Sequence, residues 1–130
     1  MVAQTILSSE AVRILVCTAC RALDQENVRP GADLIARLRE RLNARALSIA
    51  IADVECFAVC KRPTTVSLTA PNKWSYILGD LDAQTEVDDL IDAACSYATS
   101  ETGIVPWKER PSCFKKGVVS RLPPLNGIKA

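Results

Sequence analysis

The sequence predicts a single-domain α/β fold of strand, helix, strand, β-hairpin and helix, with an irregular C-terminal tail. Three observations carry that prediction. A short β-branched run at 12–16 precedes helical periodicity from Pro30, and a second apolar run at 47–55 follows it. The turn Ala70-Pro71-Asn72-Lys73 separates two stretches of period two, the pattern of a hairpin. Helical periodicity returns over about 84–100.

Each element has a local reason. Residues 12–16 form a nearly unbroken apolar run, which suits a buried strand. In the first helix Ala32, Ile35, Leu38 and Leu42 make the apolar stripe, with Leu34 beside it. Arg37, Arg39, Glu40, Arg41 and Arg45 fall off the stripe and read as a solvated face. Pro30 fits a first-turn position, and Asp33 favours the positive end of the helix dipole. In the second strand Leu47, Ile49 and Ile51 alternate with Ser48, Ala50 and Ala52. The hairpin pairs 64–69 with 74–78, where Trp74, Tyr76 and Leu78 share one face. The last helix buries Val87, Leu90, Ile91, Ala94 and Ala98, and Thr102-Gly103 stops it. The core thus spans about 12–102, and 103–130 is an extension in which Val118, Val119 and Leu122 can lie against the domain as an extended strand.

Composition narrows the chemistry. The 130 residues carry a net charge of +1, which argues against a bulk attraction to nucleic acid. No run approaches the roughly 20 apolar residues of a membrane span, and residues 1–13 do not read as a signal peptide. A cytoplasmic protein is expected, where thiols stay reduced and clustered cysteines point to metal or redox chemistry. Histidine is absent. That removes His metal ligands, a His general base and the Ser-His-Asp and Cys-His arrangements.

Four of the six cysteines form two pairs, Cys17-x2-Cys20 and Cys56-x3-Cys60. Each pair closes a predicted strand. A strand-helix-strand unit makes the two strands parallel neighbours, so both pairs reach one edge of the sheet, where α/β folds place ligands. Four thiolates suit zinc or an iron–sulfur cluster. Zinc would be a closed structural site, whereas a cluster would carry electrons. Spacing alone leaves both open, and it leaves open a thiol oxidoreductase working through Cys17 and Cys20. Cys95 falls beside the buried stripe of the last helix and reads as a core thiol; Cys113 lies in the basic tail. Trp74 and Tyr76 read as core, while Trp107-Lys108-Glu109-Arg110-Pro111 is either a functional loop or a plug on the sheet. The stretch 80–92 holds six acidic and no basic residues, and reads as a solvated face or a docking face for a basic partner.

The order of elements, together with the Cys56-x3-Cys60 loop and the gap from Cys20, resembles the thioredoxin-like [2Fe–2S] ferredoxins. Five strings are similar to those of an uncharacterised bacterial family of predicted metal-binding proteins: Val16-Cys17-Thr18-Ala19-Cys20-Arg21, Val54-Glu55-Cys56-Phe57-Ala58-Val59-Cys60-Lys61-Arg62, Trp74-Ser75-Tyr76-Ile77-Leu78-Gly79-Asp80-Leu81, Val105-Pro106-Trp107-Lys108-Glu109-Arg110-Pro111 and Arg121-Leu122-Pro123-Pro124. These resemblances imply a thioredoxin-like fold and a [2Fe–2S] cluster on Cys17, Cys20, Cys56 and Cys60. They imply an electron carrier or metal-binding protein rather than an enzyme, with a role in cobalt or cobalamin metabolism. The implied partner is a redox protein or a metal-insertion enzyme, with neither nucleic acid nor membrane. A homodimer is compatible with this.

Overall fold

A computed structural model describes residues 12–18, 30–55 and 64–124. Strand β1 (Arg13–Cys17) is followed by helix α1 (Pro30–Ala44) and strand β2 (Ala50–Val54). The hairpin is β3 (Val66–Thr69) and β4 (Ser75–Leu78), and helix α2 (Val87–Thr99) comes next. The tail then forms a 3-10 turn (Trp107–Glu109), a short helix α3 (Ser112–Lys116) and strand β5 (Val118–Leu122). The five strands make one sheet in the order β2-β1-β3-β4-β5. Only β1 and β2 run parallel; the other pairings are antiparallel.

Register explains which residues reach the core. Ile51, Ile14, Leu68, Tyr76 and Arg121 form one cross-sheet row. Asp53, Val16, Val66, Leu78 and Val118 form the next. The apolar members of these rows in the three inner strands are fully buried. They join Leu34, Ile35, Leu38 and Leu42 of α1 and Val87, Leu90, Ile91, Ala93, Ala94 and Tyr97 of α2 in one cluster. Period two in the strands thus meets period 3.6 in the helices across a single layer. Ala32 departs from its expected place in the stripe: it is exposed, and Gly31 is buried instead. Truncating a buried leucine here, such as Leu68, removes packing worth about 2–5 kcal/mol.

The charges expected to face solvent pair with one another. Arg41 reaches Asp88 at 3.1 Å and Arg45 reaches Asp92 at 2.9 Å, joining α1 to α2. Arg37 pairs with Asp33 in the first turns of α1 at 2.9 Å. Lys116 of the tail meets Glu86, just before α2, at 3.2 Å. Each exposed pair contributes at most about 1 kcal/mol. Their consequence for function is larger, because much of the acidic stretch is already matched within the chain.

The tail is far more regular than its prolines suggest. It crosses the helical layer, packs Phe114 against Tyr76 with ring centroids 4.7 Å apart, and adds β5 to the edge of β4. Gly103 makes the turn that starts it. Its φ is +90°, and a Cβ there would stand 2.7 Å from the Trp74 backbone. Arg110 clasps the tail down. Its Nε donates to the Val105 carbonyl at 2.8 Å, an Nη donates to the Tyr76 hydroxyl at 3.3 Å, and its guanidinium lies 5.0 Å from the Phe114 ring centroid. Trp107 stays 60% exposed, so it plugs nothing. Arg110→Leu should cost about 1–3 kcal/mol and lower Tm by about 5–10 °C, read by thermal melting.

Cys113 is buried at the start of this tail helix. Burial foremost, then Asp89 and Glu86, pushes its thiol from an ordinary value near 9.0 up to about 12. The native state therefore keeps a proton that the unfolded chain gives up above pH 9. Stability from this group is intact below that pH and falls as pH rises toward 12. Denaturant midpoints measured from pH 8 to pH 11 should fall more steeply in the native protein than in Cys113→Ala.

Candidate metal centre

β1 and β2 end side by side. Their parallel register places Cys17 opposite Val54. Beyond the last pair, the Thr18 N–H donates to the Val54 carbonyl at 2.9 Å, and the Thr18 hydroxyl donates to the same carbonyl at 3.4 Å. The Cys17 thiol is fully buried and lies 3.6 Å from the Glu55 carbonyl oxygen. Glu55 is the residue before Cys56. The first cysteine of one pair therefore sits against the last described residue before the other pair. Cys20, Cys56 and Cys60 lie outside the described residues, so the geometry at this site is that of Cys17 and the chain on either side. Among the described residues no group of three or more metal-ligating side chains is assembled.

Two other elements close on the same edge. The Cys17 N–H donates to the Thr65 carbonyl at 2.9 Å, which ties β1 to the start of β3 just after the second cysteine loop. The first turn of α1 presses on the end of β1. A Cβ on Gly31 would stand 2.0 Å from the Cys17 carbonyl oxygen and 3.1 Å from the Thr18 Cα. Only glycine permits this approach. It brings the positive end of the α1 dipole to the cysteine edge, although thirteen positions (31 minus 18) separate Thr18 from Gly31 in the chain. Pro30, expected at a first-turn position, opens α1 immediately before this contact.

The donor chemistry fits a soft metal. Cys17 offers a soft sulfur donor, fully buried, beside the N-terminal end of α1. The residues present also include an orphaned polar atom. Thr64 Oγ1, at the end of the second cysteine loop, is buried without a hydrogen-bond partner. Cys95, half-buried on α2, and Cys113, under α3, are held by the helical layer instead. Desolvation raises the thiol pKa of both.

Gly31→Ala should separate α1 from the end of β1. The expected cost is about 1–3 kcal/mol, read by denaturant unfolding.

Known proteins can now be set beside this geometry. The fold is shared with a thioredoxin-like [2Fe–2S] ferredoxin from Aquifex aeolicus, at a TM-score of 0.57 and 15% identity over 89% of this chain and 97% of that one. A second structure, of the wild-type thioredoxin-like [2Fe–2S] ferredoxin from the same organism, aligns at a TM-score of 0.55 and 15% identity, over 85% and 98%. At that identity the likeness establishes a thioredoxin-like fold. No curated protein matches the chain. Residues 14–124 match the model described as "Protein of unknown function (DUF1636)", and the chain belongs to that family.

Proposed function

We propose that this protein is an electron carrier in which Cys17, Cys20, Cys56 and Cys60 hold a [2Fe–2S] cluster. The observation that carries the reading is the parallel β1–β2 edge, where the Cys17 thiol lies 3.6 Å from the carbonyl of the residue preceding Cys56. A fold shared with two ferredoxin structures supports it, as does a chain without histidine, which leaves the cysteines as its soft donors.

When bound, the cluster would accept and release one electron at a time. The chain's own part is to hold and shield. Cys17 is fully buried, so its sulfur is kept from bulk water. The two parallel strands hold the approaches to both cysteine loops at hydrogen-bonded spacing. The α1 N-terminus offsets negative charge at the ligand edge. The partner would be a redox protein. Service to cobalt or cobalamin metabolism rests on the five sequence strings alone.

Anaerobically purified protein should be coloured, absorb in the visible, and contain about two irons and two sulfides per chain. Cys17→Ser, Cys20→Ser, Cys56→Ser and Cys60→Ser should each lose most of the iron. Cys95→Ala and Cys113→Ala should keep it. Colourless protein holding one zinc per chain would replace the cluster with a structural metal site. Disulfide reductase activity lost in Cys17→Ser but kept in Cys56→Ser would replace it with thiol chemistry.

A further inference from the structure

The ion pairs of this chain leave one group of cations without a carboxylate. Arg37, Arg41, Arg45 and Lys116 each meet an aspartate or glutamate at 2.9–3.2 Å. Among the described residues, Lys108, Arg110 and Lys115 pair with none. All three belong to the tail segment around Trp107. The Lys115 Nζ and the Arg110 guanidinium carbon each lie 5.7 Å from the centroid of its indole. Lys108 is the next residue and is exposed, as is Lys115. The tail sets one acidic side chain against these charges, that of Glu109, exposed in the same turn.

Trp107 is 60% exposed, and Leu122 is the other large apolar side chain left open among the described residues. The backbone that carries the indole is fixed. The turn Trp107–Glu109 stands between Pro106 and Pro111. The Glu109 N–H donates to the Pro106 carbonyl at 2.9 Å, and the Arg110 N–H to the Trp107 carbonyl at 3.2 Å. The Ser96 hydroxyl of α2 donates to the Glu109 carbonyl at 3.3 Å. Arg110 ties the turn to Val105 and Tyr76. A side chain exposed on a backbone already held loses little entropy when a partner covers it. Tryptophan is also among the side chains that most often anchor protein interfaces.

We infer that the Trp107 turn is a docking site for a partner protein that presents carboxylates around an apolar residue. The apolar residue packs on the indole, and the carboxylates meet Lys108 and Lys115, the cations this chain leaves unmatched. Charge of that sign speeds encounter and selects the partner, while the tryptophan supplies the contact area. A single-stranded nucleic acid asks for a basic track with several stacking rings, and this surface offers one ring. A membrane surface asks for a broad apolar helix face, and the turn is three residues long. The inference needs no ligand at the cysteine edge and stands whatever that edge holds.

The test pans a phage-displayed library of short random peptides against the full-length protein. Selected peptides are remade with a fluorescent label and titrated by anisotropy. They should be rich in Asp and Glu around one aliphatic or aromatic residue, and should bind more weakly as salt is raised. Trp107→Ala should weaken binding at least about tenfold. Lys108→Glu combined with Lys115→Glu should weaken it by about threefold to tenfold. Glu109→Gln removes the acidic side chain that repels the partner and should tighten binding about twofold, a gain that no loss of fold can imitate. Selected peptides without acidic residues would overturn the inference. So would acidic peptides whose affinity is the same in wild type, Trp107→Ala and the double lysine variant. A single-stranded oligonucleotide or phosphatidylserine vesicles that bind wild type more tightly than any peptide, and lose that binding in Trp107→Ala, would also overturn it by giving the surface to another class of partner.

Discussion

The parallel hydrogen bonding of β1 to β2 is the constraint on which the cysteine edge depends. Were the two strands antiparallel, they would end at opposite edges and Cys17 would lie far from Glu55. The register fixes more than direction. Pairing Cys17 with Val54 puts its thiol against Glu55, one residue from the second pair of cysteines. A slip by one residue would turn Cys17 to the other face of the sheet. Helix α1 makes the parallel connection, and Gly31 lets its first turn sit directly on the strand it connects. The crossover is therefore also a wall of the site.

The tail serves the opposite side of the molecule. Arg110 binds Tyr76, Val105 and the Phe114 ring, and β5 covers the β4 edge that the hairpin leaves open. Covering that edge removes a row of unpaired backbone groups that would otherwise invite association. The same packing decides the role of charge. Asp88 answers Arg41 of α1, Asp92 answers Arg45 just after it, and Glu86 answers Lys116. The acidic run and the basic tail, which look in sequence like two docking faces, spend part of their charge on each other and on α1.

Most of the fold was legible because its signals are periodic. Strand alternation around Tyr76 and Leu78 and the helical stripes at Leu34, Ile35, Leu38 and Leu42 and at Val87, Leu90, Ile91 and Ala94 all reappear as buried rows. Tyr97 was missed, since a tyrosine does not announce a core position. It is buried through its ring while its hydroxyl donates to the Trp74 carbonyl. Trp107 carries the reverse lesson: an aromatic beside prolines is exposed because Arg110, not the indole, fills the gap over Tyr76. Of the site, Cys17 was legible and the contacts that hold it were not. Gly31 acts through a close approach between distant parts of the chain, which has no one-dimensional signature.

The buried core and the two cysteine-bearing segments make different demands on the chain. The core of Ile14, Val16, Leu68, Tyr76, Leu90 and Ile91 is closed by apolar packing that asks nothing of a metal. The ligand segments are different. Each leaves the sheet at a pinned residue and returns at another: Thr18, bonded to Val54, and Gly31, packed on Cys17, for the first; Glu55, against the Cys17 thiol, and Thr64, bridged to Leu81, for the second. Pinning both ends of a segment lowers the entropy that ordering it for any ligand would cost. A metal there would stabilise the edge without having to build the domain, which frees its ligand set to be chosen for chemistry.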